Sequence, residues 1–98
     1  MPQNVASVKR ETAHSLVTVL ELRPTVSGGN IRGLARIRVG AFTISDVKII
    51  QQPGQRAWVR LPDRRSASGQ WFPIVSCTSP TLLQAITEAV LAAWEGGV

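Results

Sequence analysis

Arginine is the residue type with most to offer chemically in this sequence. Nine arginines and two lysines face six carboxylates, for a formal charge of +5. Their placement is uneven. Arg23, Arg32, Arg36, Arg38, Lys48, Arg56, Arg60, Arg64 and Arg65 fall between residues 23 and 65, where only Asp46 and Asp63 oppose them, a local net charge of +7. Residues 66 to 98 hold no cation. A guanidinium presents a planar fork of donors that matches phosphate. A basic stretch localised within a domain is the electrostatic footprint of a nucleic-acid binder.

Other chemistries are thinly provided for. The chain has one cysteine, Cys77, and one histidine, His14. These exclude an intrachain disulfide, a dithiol redox centre and a structural zinc site. The groups available to a nucleophilic enzyme are Cys77, His14, Asp46 and Ser76, with no cation after residue 65 to lower the thiol pKa by proximity in sequence. Cys77 reads as a small buried hydrophobe. Neither a glycine-rich nucleotide loop nor a phosphate-binding loop is present. The expectation is a protein that is not an enzyme, with no cofactor, no metal and no small-molecule substrate.

At 98 residues, 44% of them hydrophobic and 17% charged, the chain has the composition of one globular domain. No apolar run approaches the roughly 18 residues of a membrane span, and residues 1 to 11 lack the apolar stretch of a secretory signal. The expected location is the cytoplasm, with no membrane partner. Residues 1 to 14 are polar and aperiodic and read as a flexible arm, leaving residues 15 to 98 as the single domain.

The elements that must position the arginines follow from periodicity. Residues 16 to 22 are aliphatic and β-branched, a strand ended by Pro24 and the turn Ser27-Gly28-Gly29-Asn30. Residues 31 to 39 alternate. Ile31, Gly33, Ala35, Ile37 and Val39 point one way, and Arg32, Leu34, Arg36 and Arg38 the other. Small Gly33 and Ala35 leave room on the inner face for a helix. Residues 42 to 50 form a third strand whose apolar parity switches between Ile44 and Val47, which predicts a bulge near Ser45-Asp46. Pro53-Gly54 suits the centre of a type II turn. Residues 56 to 61 give a fourth strand, with Arg56, Trp58 and Arg60 on its polar face. Residues 62 to 69 read as a long polar loop carrying Arg64 and Arg65, and Trp71 to Ile74 as a short edge strand. One helix is expected over 80–95, with Ser79 as N-cap, Pro80 in its first turn, and Gly96-Gly97 at its end. The fold class is thus α+β: an antiparallel meander of four or five strands followed by one C-terminal helix. One helix under-covers four strands, and Leu91 and Trp94 flank its main apolar stripe, so a homodimer or higher homo-oligomer is expected.

The candidate binding residues are Arg64 and Arg65 in the loop and Arg36, Arg38, Arg56 and Arg60 on the strands. Their expected partner is nucleic acid, DNA before RNA, with Trp58 able to stack on a base. The alternative is a protein-interaction module whose basic face docks an acidic partner in cell division or replication.

From Leu16 to Trp94 the chain resembles the SpoVG (stage V sporulation protein G, septation regulator) family. The resemblance rests, in order, on residues 17–23, 31–37 and 42–50, on Trp58-Val59-Arg60-Leu61-Pro62-Asp63-Arg64-Arg65 with Gly69-Gln70-Trp71-Phe72, and on Ile86 to Leu91. It implies a β-meander with a terminal helix, an intertwined dimer, and a site-specific DNA-binding protein of gene regulation and cell division, with RNA binding in some members. It also implies that the paired cations after the proline, here Arg64 and Arg65, contact nucleic acid. The sequence departs from the family at Ser76-Cys77, where members carry His-Pro, and at Thr81 to Ala85, where members carry basic residues. Strand arginines would have to supply what those helix cations supply elsewhere.

Overall fold

A computed structural model describes residues 16–26 and 29–96. Strands β1 (Val17–Pro24), β2 (Ile31–Val39), β3 (Phe42–Ile50) and β4 (Trp58–Arg60) form an antiparallel meander in the order β1-β2-β3-β4. Two further strands, β5 (Asp63–Arg65) and β6 (Trp71–Pro73), pair with each other as a separate antiparallel hairpin. Helix α1 (Pro80–Glu95) closes the chain. The α+β class and the strand order agree with the periodicity of the sequence. The expected arm, residues 1 to 14, lies outside the described residues, as do Ser27 and Gly28 of the first turn.

The alternation on β2 is realised. Gly33, Ala35 and Ile37 are buried while Arg36 and Arg38 are exposed. Together with Val17, Val47 and Ile49 these inner residues meet Ala85, Ile86 and Val90 of the helix in one core. Gly33 is where helix and sheet come closest: a Cβ there would lie 2.7 Å from the Trp94 ring. The room left by this small residue is therefore filled by an indole.

The bulge on β3 is also where the parity switch puts it. Ala35 pairs with Val47 and Ile37 with Ile44, so one extra residue sits in β3, and Asp46 takes a φ of 61°. Gly54 has a φ of 76°, and the Gln55 amide donates to the Gln52 carbonyl at 3.1 Å, as a type II turn requires. Gly40 holds the positive φ needed at the first central position of the β2–β3 hairpin. At the helix start, the Leu82 amide donates to Ser79 Oγ at 3.1 Å.

Four expectations need correction. Residues 62 to 69 are not a loop throughout, because Asp63–Arg65 is a strand. β4 is shorter than expected, and Arg56 lies before it. Leu91 and Trp94 are not surplus apolar groups, since both pack on the core. Cys77 is half-buried, with its thiol 3.4 Å from the Ser79 carbonyl, in place of being a core residue.

Candidate nucleic-acid interface

Helix α1 covers one face of the sheet, and the cations occupy the other. The strand pairings set them in rows. Arg60 lies opposite Lys48, which lies opposite Leu34, which lies opposite Arg23. Arg36 and Arg38 occupy the next two outward positions along β2, about 7 Å apart by strand geometry. Arg36 is matched by Glu21, its cross-strand neighbour, at 3.3 Å. Both side chains are about half exposed, and such a pair contributes about 0.2–1 kcal/mol. Arg38 faces Thr18 and Thr43 and is exposed.

Lys48 and Arg60 form a like-charged pair directly across β3–β4, an arrangement that is unfavourable by itself. Asp63 resolves it. One carboxylate oxygen accepts from Lys48 Nζ at 2.7 Å and the other from Arg60 at 2.5 Å. The Lys48 hydrogen bond holds the Asp63 carboxyl below its usual range. Loss of hydration opposes this, and Arg60 adds to the lowering. The Trp71 ring completes the cluster, with Arg60 4.8 Å, Lys48 5.1 Å and Arg65 5.9 Å from its centre, all within cation–π range. Because Lys48 and Arg60 point away from the core, Trp71 fixes the β5–β6 hairpin against the outer face of the sheet.

The hairpin splits the two adjacent arginines. Successive strand residues face opposite ways, so Arg65 lies on the side of Asp63 and Trp71, and Arg64 on the reverse. The pairing sets Arg65 opposite Trp71 and Arg64 opposite Phe72. The turn that makes this possible is tight. The Ser66 amide donates to the Gln70 carbonyl at 2.7 Å, and Gly69 has a φ of 91°. That is a three-residue loop with glycine in the left-handed position, and the Ser-Ala-Ser-Gly sequence is its signal. Trp58, like Trp71 and Phe72, is exposed.

Of the expected site residues, Arg36, Arg38, Arg60 and Arg65 share the face opposite the helix. Arg64 sits on the far side of the hairpin, and Arg56 lies before β4. Arg32 is held by the Gln51 carbonyl at 3.2 Å. The residues that sequence reasoning passes over are Lys48, Asp63 and Trp71, which organise the cluster. A small cleft of about 200 Å³ on this face is lined by Glu21, Arg23, Arg36, Ser45 and Asp46. His14, one of the catalytic candidates, lies outside the described residues. Among the described residues no group of histidine, cysteine and carboxylate side chains is placed to hold a metal, and no helix is long and apolar enough to cross a membrane.

The model of one protein family, SpoVG, matches residues 16–96. A curated protein of Desulforudis audaxviator (strain MP104C), named "Putative septation protein SpoVG", is 30% identical over 81 residues, covering 81% of this chain and 90% of the relative. The family match spans the sheet, the hairpin and the helix.

Proposed function

The chain belongs to the SpoVG family, and from that we propose that it is a cytoplasmic, non-enzymatic regulatory protein that acts by binding nucleic acid, DNA before RNA. The observation that carries this reading is the β5–β6 hairpin standing on a cationic sheet face. It projects Arg64 and Arg65 to either side, and among the described residues neither has a carboxylate within salt-bridge distance. Forked cations with no carboxylate partner among the described residues are available to phosphate. Arg38 extends the positive surface, Arg60 and Lys48 share Asp63 and leave one net positive charge there, and Arg36 stands in reserve behind Glu21. Arg56, exposed before β4, adds charge at the sheet edge. The regulatory role follows the septation name carried by the relative. The working form is a homodimer: β1 is an edge strand of the sheet, and pairing with a second copy would satisfy its free side.

A second reading is favoured by the apolar side chains among these cations. Phe72 and Ile74 are exposed beside Arg64, as a surface that docks an acidic protein would have them. One titration separates the two. Labelled duplex DNA and a single-stranded RNA of matched length are titrated at two salt concentrations with the wild type and with Arg64→Ala/Arg65→Ala. Salt-sensitive binding weakened by the double substitution supports the nucleic-acid reading. No binding at low salt overturns it in favour of the docking module.

A further inference from the structure

Four of the five aromatic residues in the chain are exposed, and two of them, Trp71 and Phe72, stand on one three-residue strand. Trp71 is 51% and Phe72 44% exposed, on opposite faces of β6. Each has an arginine directly across the hairpin, Arg65 for Trp71 and Arg64 for Phe72. The ring–guanidinium pair therefore occurs twice, once on each side of a two-stranded ribbon. A ring offers a face to a nucleobase whatever its sequence, and the neighbouring guanidinium reaches the phosphate joined to it.

The two sides are not held alike. On the Trp71 side, Lys48 and Arg60 are both tied to Asp63, so their role is to back the indole and fix its orientation. Arg65 is the outermost of the three cations on the ring, at 5.9 Å, and it lies along the turn within 3.5 Å of the site of a Gly69 Cβ. Among the described residues it has no ion pair to break on leaving the ring for a phosphate. A larger residue at position 69 would crowd it there.

We propose that the β5–β6 hairpin is a two-sided stacking blade for unpaired nucleotides, with bases on Trp71 and Phe72 and their phosphates on Arg65 and Arg64. This deepens the nucleic-acid reading above and rests on it. The blade selects single-stranded segments, because bases within a duplex already stack on one another and present only their edges. In a duplex the same arginines meet phosphate, but the rings gain nothing.

The test compares three ligands at low salt: a single-stranded oligothymidine of about twelve nucleotides, a strand with the same number of phosphates but no bases, and a matched duplex. The wild type is expected to bind the oligothymidine about ten- to a hundredfold more tightly than the abasic strand, within the range for a single stacked base. Trp71→Leu/Phe72→Leu should erase that preference, and Trp71→Phe/Phe72→Tyr should keep it. Equal affinity of the wild type for the two strands overturns the blade while leaving phosphate binding intact, and this comparison needs no variant to fold. Retention of the preference by the leucine variant also overturns it. So does a change in sedimentation mass with no change in affinity, which would place the rings in a self-association surface. Failure of the wild type to bind any of the three ligands overturns the nucleic-acid reading itself.

Discussion

Lys48 Nζ donates to Asp63 Oδ1 at 2.7 Å, and this hydrogen bond ties the strand that carries Arg64 and Arg65 to the sheet that carries the other cations. The two residues are fifteen apart in sequence. Asp63 is also the residue that relieves the like-charge opposition of Lys48 and Arg60. Its depressed carboxyl pKa makes the tie pH-dependent in a definite direction. The ionised form is favoured in the folded state, so the stabilisation is complete above the unfolded carboxyl pKa of about 3.9. It is lost as the pH falls through the lower folded value. Asp63→Asn should destabilise the protein at neutral pH by about 1–3 kcal/mol and flatten the acid limb of its stability profile. Urea unfolding followed from neutral pH to pH 3 checks both, and an unchanged acid limb would remove Asp63 from this role.

The close approach of Gly33 and Trp94 gives a second prediction. Gly33→Ala would place a methyl group 2.7 Å and 2.9 Å from two ring carbons, with the Arg23 carbonyl at 3.1 Å behind it. Overpacking of this kind costs about 1–3 kcal/mol. The coupling is specific to the indole. In a Trp94→Ala background the alanine should cost much less, a double-mutant cycle with a clear interaction energy. Additive costs would show that the ring can slide away.

Asp46 gives a third. Its φ of 61° at the β3 bulge is a conformation that aspartate tolerates and β-branched residues resist. Asp46→Gly should leave the denaturation midpoint unchanged or raised, and Asp46→Val should lower stability by about 1–2 kcal/mol. A valine variant as stable as the wild type would mean the bulge can relocate.

These tests bear on different depths of legibility. The bulge is visible in the sequence because Ile44 and Val47 break a two-residue period, and the helix is visible because Ser79, Pro80 and the apolar stripe all agree. The Gly33–Trp94 packing is half visible: the need for room can be read, but not what fills it. Periodicity leaves the indole at the margin of the apolar stripe, open to the core or to a second copy, and the fold gives it to Gly33. The hairpin is hidden because Asp63-Arg64-Arg65 is three polar residues with no apolar alternation, and its strand status comes from pairing with Trp71–Pro73 across the turn. The Lys48–Asp63–Arg60–Trp71 cluster cannot be read at all. Its members come from four strands of two sheets, and nothing in their spacing announces a meeting that only folding creates.

The final prediction separates the arginines by their partners. A cation already matched by a carboxylate adds little to the field that phosphate meets, and a free one adds its full charge. Arg64→Ala/Arg65→Ala should therefore reduce the slope of log affinity against log salt by up to about 0.9 for each duplex phosphate that is no longer neutralised. Arg36→Ala should change it less, because Glu21 already sits 3.3 Å from that guanidinium. The converse substitution has the opposite sign. Glu21→Gln releases Arg36 and should tighten binding roughly two- to fivefold at low salt, the range of a surface ion pair. Salt titrations of the three variants beside the wild type read all of these at once. If Glu21→Gln weakens binding, Arg36 needs Glu21 to orient it, and the outer sheet face meets the ligand through geometry instead of net charge.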